Sequence, residues 1–149
     1  MQEYVGLLIA AARSRIKQEV LARVAQHGLT VPQFWILIRL AEQPGVSQAA
    51  LAERCRADAP TISRTLSALA RRRLVRADLD PADRRRSRVS LTASGERLAA
   101  HLAGVARQVR ATVEAGMTRA EIAALQDGLR RVIANLDGLA AAAPRRARR

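Results

Sequence analysis

The sequence predicts a mainly α-helical fold with a small β-hairpin wing: a winged helix-turn-helix of six helices that dimerises through its N- and C-terminal helices. Two short helical patterns, SQAALAERC and DAPTISRTLSALARRRL, follow one another closely between residues 47 and 74. The arginine-rich segment after them contains two short alternating runs separated by a turn rich in Asp and Pro, which is typical of a hairpin. Long amphipathic patterns flank this region on both sides.

The N-terminal segment is predicted to form two helices. From Val5 to Val24, apolar residues recur at steps of three and four, which predicts a long amphipathic helix. Gly28 can adopt the left-handed conformation that ends such a helix. Thr30 is expected to cap the second helix, and Pro44-Gly45 is expected to end it.

The third and fourth helices are predicted from their capping residues. Ser47 and Asp58 have side chains that accept hydrogen bonds from the first free backbone N–H groups of a helix, so each is expected to begin one. In the fourth helix, Ile62, Leu66 and Leu69 form the apolar stripe that should face the core.

The C-terminal half is predicted to hold the wing and two further helices. Leu74–Asp78 and Ser87–Leu91 are the two strands of the hairpin. Thr92 is expected to open a long fifth helix, which Gly116 interrupts. The pattern from Thr118 to Glu121 is a capping box that begins the sixth helix.

One unit is expected over residues 1–139. Residues 30–92 form the winged helix-turn-helix lobe, and residues 1–28 and 93–139 form the dimerisation helices. The lobe is too small to cover the apolar stripes of the terminal helices, and a second copy of the chain is the simplest cover. A two-fold axis would then present two fourth helices to half-sites ~10 base pairs apart. The basic segment 140–149 is expected to be a disordered tail.

The charge points to nucleic acid as a partner. The chain has 26 basic and 13 acidic residues, for a net charge of +13, and Lys17 is the only lysine. Genome composition accounts for the lack of lysine, but it does not account for nine arginines between Arg64 and Arg88 against three acids. The guanidinium group suits phosphate oxygens and guanine edges, so this cluster favours DNA binding.

Several function classes are disfavoured. Cys55 is the only cysteine, which excludes an internal disulfide and a cysteine-based zinc site, and the two histidines stand far apart in the sequence. No metal or cofactor is predicted. A Gly-rich phosphate loop and a recognisable nucleophile–histidine motif are both absent from the sequence, so an enzyme is not expected. No charged leader or run of ~18 uncharged apolar residues is present, which favours a cytoplasmic protein without membrane contact.

Four segments of the chain form a recognisable pattern: HGLTVPQFWIL (27–37), SQAALAERC (47–55), DAPTISRTLSALARRRLV (58–75) and DPADRRRSRVSLTASG (80–95). Together they resemble the MarR family of bacterial transcriptional regulators, and the likeness covers nearly the whole chain. The last segment is the most specific, and its matching residues are Asp83, Arg85, Val89, Leu91, Thr92 and Gly95. The resemblance implies a dimeric, triangular architecture.

One residue departs from the family pattern. Arg73 stands where such proteins usually have Gly before Leu-Val. Either Arg73 adopts the left-handed conformation at a small energetic cost, or the fourth helix ends differently.

The fourth helix is expected to read DNA from its N-terminal turns. Pro60, Thr61, Ser63 and Arg64 are exposed there in the predicted helix, and Arg64 can make a bidentate contact to guanine. The alternative is a solvated arginine on a helix face.

The wing is expected to contact the minor groove or the phosphates. Arg84, Arg85 and Arg86 stand at its apex, and the resemblance favours Arg85 as the tip residue. Asp83 is expected to hold an arginine or the turn backbone, which would fix the shape of the wing. A generic charged turn is the alternative.

Four further residues are candidates for phosphate contacts that orient the lobe without reading sequence. These are Ser47, Gln48, Ser67 and Arg71. Arg72 and Arg73 are interpreted as diffuse positive charge.

The resemblance also implies a site for a small phenolic or aromatic carboxylate. Trp35 and Arg39 stand one turn apart on the second helix, where they could meet a ring and a carboxylate. Arg15 and His101 are further candidates. The alternative is that Trp35 belongs to the core or an interface and that Arg39 only extends its charge to solvent.

Cys55 and His27 receive simpler interpretations. Cys55 stands where the third helix packs an apolar residue. Although the arginines on either side of it could activate a thiol, the chain has no second cysteine for a redox pair. His27 is interpreted as a polar residue that interacts with carbonyls at a helix end.

The predicted function is that of a homodimeric, sequence-specific transcriptional regulator. It would bind a palindromic operator in double-stranded DNA and act as a repressor that a small aromatic acid releases. A non-specific or architectural DNA-binding protein without an effector is the alternative.

Overall fold

The computed structural model describes residues 3–80 and 87–142. The elements in chain order are α1 (Val5–Val24), a 3₁₀ turn (Ala25–His27), α2 (Val31–Glu42), β1 (Val46–Ser47), α3 (Gln48–Cys55), α4 (Ala59–Arg71), β2 (Val75–Leu79), β3 (Ser87–Leu91), α5 (Ala93–Glu114) and α6 (Arg119–Ala142). The predicted order of six helices with a wing between the fourth and the fifth is confirmed.

The three strands form one antiparallel sheet in the order β1-β3-β2. In the hairpin, Val75 pairs with Leu91 and Leu79 with Ser87. The prediction of a two-stranded hairpin was incomplete, because Val46 of β1 also pairs, with Val89 on the other edge of β3. A strand of two residues has no period that the sequence can reveal.

The predicted starts of α2, α3 and α4 are confirmed by their caps. Thr30 and Gln33 form a capping box, in which each side chain accepts a hydrogen bond from the backbone N–H of the other residue. The hydroxyl of Ser47 accepts from Ala50 N at 3.1 Å, and the carboxylate of Asp58 accepts from Thr61 N at 2.7 Å. These local contacts fix where each helix begins.

The core lies where α2, α3, α4, β3 and α5 meet. Its largest fully buried side chains include Phe34, Leu37, Leu51, Ile62 and Leu102. The predicted stripe of α4 is buried as a whole.

The stripe predicted for α1 is buried only at its C-terminal end. Val20 and Val24 are buried, whereas Val5 and Leu8 are 57% and 49% exposed. The 3₁₀ turn continues the helix, and the chain turns at Gly28 with a φ of 61°. The predicted left-handed end is therefore confirmed, with a last turn that is tighter than an α-helix.

The chain divides into two units after Val113. The second unit contains α6, which begins with the predicted capping box: Thr118 N donates to Glu121 Oε2 at 2.8 Å, and Glu121 N donates to Thr118 Oγ1 at 3.3 Å. The helix extends to Ala142, three residues beyond the predicted boundary at 139. The rest of the predicted tail lies outside the described residues.

The surface of α6 exposes apolar side chains to solvent. In α6, the large apolar side chains of Leu125, Leu136 and Leu139 are 45%, 59% and 68% exposed. Within residues 3–80 and 87–142, no helix combines the length and the apolar character needed to cross a lipid bilayer.

Candidate nucleic-acid interface

The N-terminus of α4 is fixed by Asp58. Its carboxylate accepts a hydrogen bond from the backbone N–H of Thr61, and mainly for that reason the pKa of Asp58 lies below its ordinary value; the nearby charge of Arg64 lowers it further. Pro60 is exposed in the first turn, where a missing N–H costs nothing. The helix thus begins at a defined residue, with its first turn open to solvent.

The outward face of α4 carries four exposed polar side chains: Ser63, Arg64, Ser67 and Arg71. The guanidinium of Arg64 donates to Thr61 Oγ1 at 3.4 Å, a long hydrogen bond that directs the side chain along the N-terminal part of the helix. Thr61 itself is half-buried. The predicted base-reading residues therefore line the N-terminal half of one helix, and the opposite face of that helix is packed against the core. These residues are Pro60, Thr61, Ser63 and Arg64.

The hydroxyl groups of the two serine candidates for phosphate contact differ in availability. Ser67 Oγ donates to Ser63 O at 2.9 Å, so a phosphate would have to replace that bond. Ser47 Oγ accepts from the backbone of α3, which leaves its own O–H free to donate. Gln48 and Arg71 are both exposed.

The interpretation of Arg72 as diffuse charge was wrong. Its Nη1 donates to Gly28 O at 2.8 Å, and its Nη2 donates to His27 O at 2.9 Å. The side chain therefore joins the end of α4 to the end of the 3₁₀ turn. Nothing in the local sequence signals this contact, since the partners are more than 40 residues apart.

Arg73 adopts the left-handed conformation, with a φ of 56°. The left-handed conformation at Arg73, the first of the two predicted alternatives, is therefore the observed one. The carbonyl of Arg73 accepts a hydrogen bond from Thr92 Oγ1 at 2.6 Å, which ties this turn to the start of α5.

The base of the wing is held by an arginine for which the sequence predicts no individual role. Arg88 on β3 pairs with the buried carboxylate of Asp80 at 2.7 Å and donates to Gly45 O at 3.2 Å. Asp83 was expected to hold an arginine in this way. Asp80 holds an arginine at the base of the wing, while Asp83 lies outside the described residues and its role stays a prediction.

The apex of the wing lies outside the described residues. This applies to Asp83, Arg84, Arg85 and Arg86, whose predicted contacts with DNA remain predictions.

Two of the four effector candidates are engaged with neighbours on their own helix. Trp35 packs edge-to-face against Phe34, with ring centroids 4.8 Å apart. Arg39 pairs with Glu42 at 2.8 Å. These contacts match the alternative in which Trp35 packs within the protein and Arg39 is solvated.

Arg15 lines a groove of about 240 Å³ between α1 and α5. Its apolar walls are formed by Ile16, Val109 and Val113. The nearby Glu19 is paired with Arg23, whereas Arg15 has no ion-pair partner among the described residues. Of the four candidates, only Arg15 lines this groove.

The two histidines, far apart in the sequence, are neighbours in the fold. The rings of His27 and His101 pack edge-to-face with centroids 5.1 Å apart. Nε2 of His27 is buried without a hydrogen-bond partner in the part of the chain that the structure describes. The interpretation that the His27 side chain interacts with helix-end carbonyls was therefore wrong; those carbonyls, including its own, accept from Arg72.

Cys55 is half-buried and packs against the core, as predicted for an apolar position of α3. Burial raises the pKa of its thiol, and the charges of Arg39 and Arg54 only partly oppose this. A protonated thiol is a poor nucleophile. No group of three or more His, Cys, Asp or Glu side chains suited to a metal ion occurs within the described residues.

The comparisons with known proteins agree with this geometry. Residues 27–86 match the model of the MarR family. Over 72 residues the chain is 42% identical to the transcriptional regulator HosA of Escherichia coli O111:H-, a match that covers 48% of this chain and 53% of that protein. The chain thus spans about half the length of the curated relatives it matches.

Two solved structures are similar over most of their length. The transcriptional regulator PA3341 is 31% identical with a TM-score of 0.80, and the match covers 91% of this chain and 99% of that one. BpsR of Bordetella bronchiseptica, whose DNA binding is regulated by 6-hydroxynicotinic acid, is 29% identical with a TM-score of 0.76, over 87% of this chain and 93% of that one. The chain belongs to the MarR family.

Proposed function

We propose that this chain is a homodimeric, sequence-specific DNA-binding transcriptional regulator, and that it acts as a repressor released by a small aromatic acid. The observation that carries the proposal is the exposed face of α4 with Ser63, Arg64 and Ser67, on a helix whose apolar stripe is buried in the core. A helix fits the major groove of B-DNA, and its N-terminal residues reach base edges first.

Arg64 is the residue best suited to read a base. Its guanidinium can donate two hydrogen bonds to O6 and N7 of guanine. The contact with Thr61 and the nearby carboxylate of Asp58 restrict the side chain before DNA arrives, which lowers the entropy that binding must remove. Thr61 and Ser63 stand beside it for contacts to bases or phosphates.

Phosphate contacts would supply most of the affinity. Ser47, Gln48 and Arg71 lie at the ends of α3 and α4, where they can hold the backbone on either side of the groove. The net charge of +13 adds a long-range attraction to DNA that falls as salt is added.

Dimerisation is supported by apolar surface that a single chain leaves open. Leu136 and Leu139 of α6 are more than half exposed, as are Tyr4 and Leu7 at the other end of the chain. Water contact with such side chains is unfavourable by about 25 cal/mol per Å² of apolar surface, and a second copy would remove it. Two-fold symmetry would then match a palindromic operator.

The effector is proposed to be a single-ring aromatic carboxylate. The regulation of BpsR by 6-hydroxynicotinic acid supports this chemical class. Within the groove between α1 and α5, Arg15 can meet a carboxylate while Val109 and Val113 contact the ring. Release requires that the acid bind the DNA-incompetent conformation more tightly than the competent one, because equal affinity for both would shift nothing.

A non-specific, architectural DNA-binding protein is the second candidate, and the excess of positive charge favours it. In either case we propose a cytoplasmic protein whose partner is double-stranded DNA and which catalyses no reaction.

Selection of bound duplexes from a random pool tests the proposal. A regulator yields a palindrome whose half-sites are ~10 base pairs apart, whereas an architectural protein yields no preferred sequence. Arg64→Ala should weaken binding to the selected palindrome by ~1–3 kcal/mol and relax preference at one position in each half-site. Arg85→Ala should weaken binding more evenly across sequences.

Arg130→Ala provides the control for Arg64→Ala. Arg130 lies on α6 and is paired with Asp127, so its removal changes the net charge equally without touching α4. An equal loss for all sequences in Arg64→Ala would contradict its role in reading a base. Titration of the bound palindrome with 6-hydroxynicotinic acid tests the effector class, and Arg15→Gln should weaken the response.

A further inference from the structure

The end of the recognition helix α4 is joined to two other parts of the same unit. Arg72, which caps α4, donates from two different nitrogen atoms to Gly28 O and His27 O. These carbonyls lie at the end of the 3₁₀ turn that continues α1. Backbone C=O groups at a helix end have no N–H partner within the helix. A guanidinium group at this end also interacts favourably with the helix dipole.

The same turn is linked to α5 through its last side chain. The ring of His27 packs against the ring of His101, 5.1 Å away between centroids. Arg72, His27 and His101 therefore form a junction at which α4, the end of α1 and α5 meet. We call these three residues the junction residues.

The contacts of Arg72 at the junction are directional, whereas the other contacts that hold α4 are apolar. Ile62, Leu66 and Leu69 hold the helix against the core by apolar burial, which is largely insensitive to small rotations of the helix. The two hydrogen bonds of Arg72 have fixed lengths and directions and are charge-assisted. They can fix the tilt and rotation of α4, and with it the placement of Arg64, which lies about two turns before the end of the helix.

We propose that Arg72 is a positioning residue for DNA recognition. It does not read a base; it holds the recognition helix to the end of α1 and, through His27 and His101, to α5. The proposal rests on the proposed function, because it names the residue that gives α4 its working orientation. Loss of the two hydrogen bonds should reduce the preference for the selected palindrome over random duplex by about tenfold.

Three variants separate this role from a phosphate contact. Arg72→Gln removes the charge and the paired donors. Arg72→Lys keeps the charge but lacks the planar fork that reaches both carbonyls. Arg71→Gln removes the same charge one residue earlier, at an exposed side chain with no hydrogen-bond partner among the described residues.

Binding of each variant is measured with the selected palindrome and with random duplex at several salt concentrations. We expect Arg72→Gln and Arg72→Lys both to lose preference, and Arg71→Gln to weaken binding to both duplexes alike and to reduce the salt dependence. A full recovery of preference in Arg72→Lys, or an unchanged preference in Arg72→Gln, overturns the proposal.

Amide hydrogen exchange of the free protein tests the junction without DNA. Arg72→Gln should speed exchange at Gly28 and Leu29, whose N–H groups bond to Ala25 O and Val24 O, and Arg71→Gln should not. An unchanged exchange rate in Arg72→Gln would contradict the claim that Arg72 holds this turn. If the wild-type chain shows no preference for any duplex, the proposed function fails, while the exchange result still decides whether Arg72 holds this turn.

Discussion

Gly95, in the first turn of α5, lies directly against the carbonyl group of Leu74. A Cβ atom on residue 95 would overlap the carbonyl oxygen and lie 3.0 Å from the carbonyl carbon. The same oxygen accepts a hydrogen bond from Thr92 N at 3.1 Å. This close approach explains why the motif Val-x-Leu-Thr-x-x-Gly ends in glycine here: the start of α5 packs on the turn that leads into the wing.

We expect Gly95→Ala to lower the free energy of unfolding by about 1–3 kcal/mol, because a backbone carbonyl cannot move aside as a flexible side chain can. Urea denaturation measures the change. Gly104→Ala in the same helix is the matched control: its Cβ would meet only the end of the Arg107 side chain at 3.9 Å, and it should be neutral or stabilising. Equal effects of the two substitutions would contradict the close approach.

Arg73→Gly should raise the free energy of unfolding by ~0.5–1 kcal/mol. Arg73 has a φ of 56°, a conformation that costs energy for any residue with a Cβ and almost none for glycine. Arg71→Gly removes the same charge from a residue in regular helix and should have the opposite sign. Thermal and urea unfolding of both variants provide the comparison, and a destabilised Arg73→Gly would be evidence against strain at this position.

Asp80→Asn should weaken binding to the selected palindrome by about 1 kcal/mol, the net contribution of one hydrogen bond. A loss of affinity is informative, because removal of a negative charge near DNA would by itself strengthen binding. Asp80 holds Arg88, which in turn donates to Gly45 O, so the substitution should release the base of the wing. Asp78→Asn, at the exposed partner of Arg76, is the control and should leave binding unchanged or slightly stronger. Stronger binding by Asp80→Asn would argue against a role in placing the wing.

Cys55 should react slowly with iodoacetamide at neutral pH. Burial raises the pKa of its thiol, so the reactive thiolate forms only at a higher pH than in free cysteine. The pH at which the alkylation rate reaches half its maximum should therefore lie above that of the urea-unfolded protein. Arg39→Gln should move it further upward, since the Arg39 charge favours the thiolate. A midpoint below that of the unfolded chain would instead indicate an activated thiol.

Leu136→Glu should convert the proposed dimer into monomers in sedimentation experiments. Leu136 is 59% exposed in the single chain, and a carboxylate at an apolar interface would lose its hydration. Ala134→Glu, two residues earlier, places the same charge on nearly the opposite face of α6, because successive helical residues are ~100° apart. The control should remain a dimer. A dimeric Leu136→Glu variant would show that α6 lies away from the subunit interface.

The sequence by itself determined the six helices, the hairpin and the face of α4 that is buried. Thr30, Ser47, Asp58 and Thr118 cap the helices that were predicted to begin beside them, and the stripe of α4 is buried as its spacing predicted. Each cap depends on a partner three residues away along the chain, and the direction of the stripe depends on the spacing of apolar residues within one helix. Such short-range contacts are formed by the local sequence alone, so pattern and propensity suffice to find them.

Tertiary structure decided which distant residues meet. Asp80 was found to hold Arg88, Arg72 was found on the carbonyls of residues 27 and 28, and the two histidines were found in contact. These partners are brought together by the packing of whole helices and strands, and no spacing in the sequence encodes it. The helices could therefore be read along the chain, whereas the contacts that orient the recognition helix and the wing required the folded molecule.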